Sequence, residues 1–480
     1  MTSIGIIGSG FGALAVAIEL QRAGHTDLRL WERSDAIGGV WRDNTYPGAA
    51  CDVPSPLYSF SFEPSADWRS RYGGQPEILT YIRATADKYG ITPLVQLGTE
   101  VVGAAYDEEA AAWTVRFGDG SQQTVDVLVT AVGQLSQPVL PRIPGVDTFE
   151  GTAFHSARWD HDVDLRGKKV AVVGTGASAI QFIPHVAEQA SELVVFQRTP
   201  SYILPKPDQR FGPVYRRMLK HAPGALKAER AGSWGLAEQF SRGLDDDSLV
   251  GKGISALAHQ HLRARIKDPL LRAKLTPDYP VGCKRILFAN SYYPAIAQAH
   301  VDLVTEPISE ITPTGVVTGD GTTHDVDVII YATGFDAQEF LESIDITGPG
   351  GQKLAAQWAD GARAYLGIYV PNFPNLLVTY GPNTNLGGGS IIYMLEAQAR
   401  HMRQAVDRLV AGSYRSVEVT AEADEAYDRD VQQRLSHSVW AHCDSWYRHA
   451  SGRITSNWPG STHPYAQRTK VLDPKAFHWS

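Results

Sequence analysis

Three glycines, Gly8, Gly10 and Gly12, follow a short apolar run and open an apolar-periodic stretch, and an acid, Glu32, stands twenty residues beyond the last of them. Glycine there lets the backbone turn tightly and approach a pyrophosphate, whose charge meets the free amides and positive end of the following helix. The acid, at the end of the next strand, can accept hydrogen bonds from a ribose diol. Ala13 stands where the third glycine of a G-x-G-x-x-G pattern falls, and it is small enough for that packing position. A second copy of the grammar has Gly174, Gly176 and Ala179, but its following strand ends in Gln197, Arg198 and Thr199 where an acid is expected. An acid would repel a 2′-phosphate, whereas a guanidinium binds it in bidentate fashion, so this unit is expected to take NADPH in preference to NADH. Two such sites describe a flavoprotein that holds FAD at the first and draws hydride from NADPH at the second. Without paired cysteines to carry the electrons onward, the acceptor is oxygen, a quinone or another protein.

The elements that must position these residues can be read around them. SIGIIGSGFGALAVAIELQRAGHTDLRLWER is a strand over residues 4–7, a glycine turn, a helix and a strand ending at Glu32, which together make a βαβ unit. KKVAVVGTGASAIQFIPHVAEQASELVVFQRTP repeats it, with a strand over 170–173 and a closing strand near Gln197. Between them WTVRFGDGSQQTVDVLVTAVG reads as a hairpin turned at Asp119-Gly120 and followed by a strand. The proline-rich LSQPVLPRIPG marks a boundary near 138–148. From Pro205 to about Pro277, Leu, Ala and Arg recur at helical spacing, and the chain then returns to short strands, a glycine-rich loop and a long helix. The expected architecture is α/β, with two Rossmann-like dinucleotide-binding domains and a helical insertion. Residues 1–140 and 335–480 are assigned to the FAD domain, 141–205 and 280–334 to the NADPH domain, and 206–279 to the insertion.

Bulk properties agree. A chain of 480 residues exceeds the roughly 100 to 200 of one domain. With 43% hydrophobic and 20% charged residues it has the composition of a folded globular protein. The net charge of −8 supplies no field for a polyanion, so no nucleic-acid partner is expected. Cys51, Cys283 and Cys443 stand far apart with no C-x-x-C, which argues against a disulfide scaffold, a zinc site or a redox-active pair and points to a reducing compartment. No leader-like start and no run of about 18 to 20 apolar residues is present, so a soluble, cytoplasmic protein without a membrane span is expected. Neither a metal site nor the oligomeric state can be read from the residues.

A resemblance adds to this reading. FEGTAFHSARWD fits F-x-G-x-x-x-H-x-x-x-W-[PD] through Phe149, Gly151, His155, Trp159 and Asp160, and resembles the signature of Baeyer-Villiger monooxygenases. GGVWRDNTYPGAACD resembles that family's second signature, with Gly39, Trp41, Tyr46, Pro47, Gly48 and Asp52 in register. The likeness continues through GCKRILFANSYY, YATGFDA, GPNTNLGGGSIIYMLEAQ and DSWY, from residue 4 to about 460; Val132 stands where many relatives have Thr.

The resemblance implies that a ketone and O2 are the co-substrates, that an ester or lactone is the product, and that particular residues carry the chemistry. Arg285 matches the active-site arginine, whose fixed cation keeps the reacting flavin–oxygen species anionic. Asp52 matches the acid that positions it. Lys284 aligns with a lysine that reaches the 2′-phosphate beside Arg198 and Thr199, and Trp446 with a tryptophan near the nicotinamide ribose. His155 is expected to organise the linker between the nucleotide domains and not to shuttle protons. Tyr58, Phe60 and Phe62 are not assigned as substrate contacts. A flavin enzyme that oxygenates nitrogen or sulfur is the nearest rival, and a non-catalytic FAD/NADPH redox sensor a remote one.

Overall fold

The computed structural model describes residues 2–245, 248–338, 340–443 and 445–480. Two five-stranded parallel sheets organise it. The first holds β1 (Ile4–Ile7), β2 (Leu28–Trp31), β3 (Val95–Gln96), β4 (Val127–Thr130) and, far along the chain, β10 (Leu376–Val378), in the order β10-β4-β1-β2-β3. The second holds β5 (Thr152–His155), β6 (Lys169–Val173), β7 (Glu192–Phe196), β8 (Val301–Val304) and β9 (Val328–Tyr331), in the order β8-β7-β6-β9-β5. Strands covered on both faces need apolar residues at every position, and β1, β4 and β9 are buried throughout. The expected α/β architecture is what the chain forms.

Each sheet repeats one device at its central strand. Gly8, after β1, has φ +111°, and a Cβ there would fall 2.5 Å from the carbonyl oxygen of Ala131 at the end of β4. Gly174, after β6, has φ +108°, and its Cβ would fall 2.6 Å from the Ala332 carbonyl after β9. Only glycine satisfies both the dihedral and the space. The turns lead into α1 (Phe11–Arg22) and α2 (Ala177–Ala187), and α1 packs against the long α7 (Ile391–Ala411).

The chain passes from the first sheet to the second and back side by side. Val139 N–H donates to Gly334 O at 3.1 Å, Asp336 N–H to Gln137 O at 3.0 Å, and Thr333 Oγ1 to Val139 O. The hairpin expected at Asp119-Gly120 joins Ala112–Phe117 to Gln122–Val125. Between 205 and 277 lie α3 (Pro213–His221), α4 (Ala225–Ser241), α5 (Leu249–Arg265) and α6 (Pro269–Lys274). The α4 helix is clamped to distant chain. Arg230 donates to the carbonyls of Pro56 and Ser59 at 2.8 Å each, and buried Glu238 accepts from Thr462 N–H at 2.9 Å.

One expectation is overturned. Cys283 and Cys443, 160 residues apart, form a disulfide, and Cys51 is the free, buried thiol. Sequence separation carries no information about proximity once two sheets and a returning chain bring segments together. The inference of a reducing compartment from isolated cysteines therefore loses its premise. Among the described residues, no helix is long and apolar enough to cross a membrane.

Thiol titration in denaturant should find one reactive cysteine per chain before reduction and three after it. Three before reduction would show that the bridge is not formed.

Candidate active site

A cavity of about 930 Å³ opens at the C-terminal ends of the first sheet's strands, where ligands of open α/β sheets bind. Gly10, Glu32, Gly39, Trp41, Asp52 and Arg285 all face it.

Its first end has the shape a nucleotide needs. Gly10 caps α1 with no side chain bonded to the free amides, and the first turn holds no acid that would compete for them. Opposite stands Gly39, at φ 55° and ψ −137°; a Cβ on Gly39 would lie 3.1 Å from Gly10 Cα. The two bare backbones leave a slot that any side chain would fill, as a pyrophosphate requires. Buried Glu32 is held from three sides. Ser9 Oγ donates to Oε2 at 2.6 Å, Ser34 N–H to Oε1 at 3.0 Å, and Arg42 Nη1 lies 3.0 Å from Oε1. Oε1 is taken twice and Oε2 once, so one acceptor position, on Oε2, stays open for a ribose hydroxyl. Gly12 packs on Thr379 and Leu395, a spacing role between helix and sheet.

A charge cluster lies at the other end. Arg285 Nη2 is 3.5 Å from Asp52 Oδ2, and Lys206 Nζ is 3.7 Å from Asp52 Oδ1. Lys206 also donates to Cys51 O at 3.2 Å. Two cations share one carboxylate, so the cluster carries one uncompensated positive charge. Burial disfavours the Arg285 charge, yet Asp52, then Tyr447, Cys51 and Tyr380, outweigh it and hold the guanidinium above its ordinary value. Burial also pushes the Cys51 thiol up to about 12 and the Tyr447 phenol up to about 12, and raises the Tyr380 phenol, which leaves Asp52 as the anion. Arg285 is surrounded by protein but turns 49% of its side chain to the cavity, whereas Asp52 is 8% exposed. The cation is presented and its partner is hidden. Trp41 adds a wall, its Nε1 donating to the Tyr58 hydroxyl at 3.0 Å.

The second unit adjoins the cavity through Ala177 and Ser178 at the start of α2. Gly176 caps α2 with no side-chain bond and no acid in the first turn, and nothing lies within 4 Å of where its Cβ would be. Ala179 is fully buried. Arg198 and Thr199 follow β7, with Arg198 exposed. Lys284 lies over the Tyr279 ring at 5.1 Å. Its pKa is lowered first by burial and then by the Arg198 charge. Two cations converge there, as a 2′-phosphate dianion requires. Gln181 ties the halves together, donating from Nε2 to Ala50 O at 3.0 Å and accepting from Tyr46 OH at 3.0 Å.

The FEGTAFHSARWD segment lies outside the cavity. It forms β5, the edge of the second sheet. Gly151 is hemmed in by Phe149 and Asp327 O, Trp159 packs on Phe154 and Phe182, and Asp160 Oδ1 accepts from Asp162 N–H at 3.0 Å. His155, 6% exposed, accepts from Ala157 N–H through Nδ1 and lies against Phe335, where the chain crosses back. Burial lowers its pKa to about 4, so it is neutral at physiological pH. Trp446 packs on Tyr447 with the rings tilted by 46° and accepts at its carbonyl from Gln338, and no contact joins it to Arg198 or Lys284. Asp444 of DSWY lies outside the described residues. Lys206, Ser233 and Phe240 also line or flank this site, and no motif in the sequence pointed to them; Phe288, within GCKRILFANSYY, lines it too. Phe60 is core, stacked on Phe62 at 4.8 Å.

The chain belongs to the flavin-binding monooxygenase-like family, whose model matches residues 2–347. Within that class it is similar to a Baeyer-Villiger monooxygenase of Pseudomonas aeruginosa, 41% identical over 99% of this chain and 91% of the relative. A second, from Streptomyces coelicolor, is 41% identical over 98% and 91%. Among solved structures, an oxidized steroid monooxygenase bound to NADP superposes with a TM-score of 0.89 at 32% identity, covering 99% of each chain. A closed cyclohexanone monooxygenase also gives 0.89, at 27% identity, covering 100% of each.

Gly39→Ala should empty the flavin cradle, because alanine is strained by about 1 to 3 kcal/mol in that backbone conformation and its methyl enters the slot. The purified variant should carry well under the one FAD per chain expected of the parent. Full flavin content would refute the assignment of the slot.

Proposed function

We propose that this chain is a Baeyer-Villiger monooxygenase that uses FAD, NADPH and O2 to insert one oxygen atom beside a ketone carbonyl. The single observation behind this is the Asp52–Arg285–Lys206 cluster facing the same cavity as the Gly10–Gly39 slot. FAD, once reduced by NADPH, supplies activated oxygen. In this reading FAD belongs with residues 1–140 and 335–480, NADPH with 141–205 and 280–334, and 206–279 forms an insertion on the NADPH part.

The residues divide the work by charge. Gly8, Gly10, Gly12 and the α1 amides bind the FAD pyrophosphate, Glu32 its ribose, and Trp41 walls the flavin end. Gly174, Gly176 and Ala179 open the NADPH site, Arg198, Thr199 and Lys284 hold its 2′-phosphate, and Trp446 covers its ribose side. Arg285 stabilises negative charge at the reacting oxygen, first on the attacking atom and then on the ketone oxygen as it becomes tetrahedral. Asp52 orients the guanidinium and, shared with Lys206, cannot cancel it. Neutral His155 holds the crossover beside Phe335, with Phe149, Gly151, Trp159 and Asp160 shaping the strand that carries it, and moves no proton. The net positive charge favours this reading over oxygenation of nitrogen or sulfur, where the transferred oxygen acts as an electrophile and a cation that keeps it anionic works against it.

Arg198→Ala should raise KM for NADPH while leaving NADH kinetics nearly unchanged. Equal loss with both cofactors would refute the phosphate assignment.

Arg285→Ala should keep FAD, since Lys206 still compensates Asp52, but lose ester formation by about 3 to 4 kcal/mol, or roughly a hundred- to a thousand-fold. NADPH consumption should continue, with oxygen released as hydrogen peroxide. Gas chromatography of a ketone panel beside NADPH and peroxide assays tests this, and ester formation at the parent rate would show Arg285 to be a structural charge.

A further inference from the structure

The α4 helix presents a cavity-lining stripe at helical spacing, Ser233, Leu236, Ala237 and Phe240. Three members are apolar. The fourth, Ser233, is 2% exposed, and its hydroxyl has no hydrogen-bond partner. A helical serine ordinarily turns its hydroxyl back to the carbonyl four residues earlier. Ser241 on the same helix does so, donating to Ala237 O at 3.0 Å. Ser233 does not.

Its neighbours on the helix are fully engaged. Arg230 reaches the carbonyls of Pro56 and Ser59, Trp234 Nε1 donates to Thr462 Oγ1 at 3.2 Å, and Glu238 accepts from Thr462 and His463 N–H groups. These contacts fix α4 on both sides of Ser233, so the hydroxyl cannot reach solvent by a small shift of the helix. A buried polar group left unpaired is costly, and a site that holds one discriminates between ligands that satisfy it and ligands that do not.

We propose that Ser233 is a specificity-determining residue that hydrogen-bonds a second oxygen of the substrate, remote from the reacting carbonyl. The preferred substrates are then ketones with an apolar skeleton and a distant hydroxyl or carbonyl group. The stripe holds the skeleton, Arg285 faces the reacting end, and Ser233 reads the far end. This rests on the ketone reading given above.

The test uses FAD-loaded enzyme, a homologous series of 2-alkanones and their ω-hydroxy counterparts. Binding is followed by the change in flavin absorbance, and ester formation by product mass. At the best chain length the parent should bind the hydroxyketone on the order of tenfold more tightly than the plain ketone. Ser233→Ala should lose that preference, and Ser233→Thr, which keeps the hydroxyl, should restore most of it. Flavin content and melting temperature of each variant report whether the fold is intact. Equal preference in the parent and in Ser233→Ala, or no preference at any chain length, would overturn the proposal, leaving a trapped water as the partner of Ser233. A Ser233-dependent binding preference without ester from any ketone would support the proposal and overturn the ketone reading instead.

Discussion

The pairing of Asp52 with Arg285 joins positions 233 residues apart, and the rest of the site depends on it. Asp52 follows the loop that packs on α2, and Arg285 lies on chain that has already passed through three strands of the second sheet and the helical segment. Unless both sheets are in place the hidden Asp52 carboxylate lacks its Arg285 partner, and the cavity lacks that cation. The pair therefore couples assembly of the halves to assembly of the site. Lys206 makes the arrangement asymmetric. With one carboxylate between two cations, the cluster is stable enough to fold yet still short of one negative charge.

The helical segment also does more than decorate the second sheet. By Arg230 and Glu238 it reaches across to the loop after Pro54 and to Thr462, so it roofs the cavity from one half while being anchored on the other. Of its four residues that line the cavity, Ser233 alone is polar. Tyr380, at φ 53°, is held in that left-handed conformation on the opposite wall by two amides: Gln134 donates to its carbonyl at 2.9 Å and Gln398 accepts from its N–H at 3.0 Å. Strain is tolerated where neighbouring hydrogen bonds determine it.

Local chemistry was legible in the sequence and long-range geometry was not. Gly8 and Gly174 announce their turns because no other residue can occupy them, and the spacing that singles out Glu32 brings it to the cavity. The βαβ units and the helical stretch from 205 to 277 follow from periodicity. Lys206 could not be found this way, since its partner Asp52 is 154 residues earlier and a lysine after a proline looks like any surface lysine. Ser233 sits in a helical pattern that gives no reason to single it out. The cysteines misled for the same reason, because pairing is decided in space. The FEGTAFHSARWD segment shows the converse: it is the most recognisable stretch of the chain, yet it packs at a sheet edge beside the crossover and away from the cavity.

The segments 137–139 and 333–336 cross between the sheets side by side and are tied to each other by hydrogen bonds. The Cys283–Cys443 bridge adds a covalent tie between distant segments, next to Lys284-Arg285. Movement that would pull Arg285 away from the Cys443 segment must work against a covalent bond two residues away. The α4 roof opposite is held by hydrogen bonds, so the two walls of one cavity are secured by bonds of very different strength.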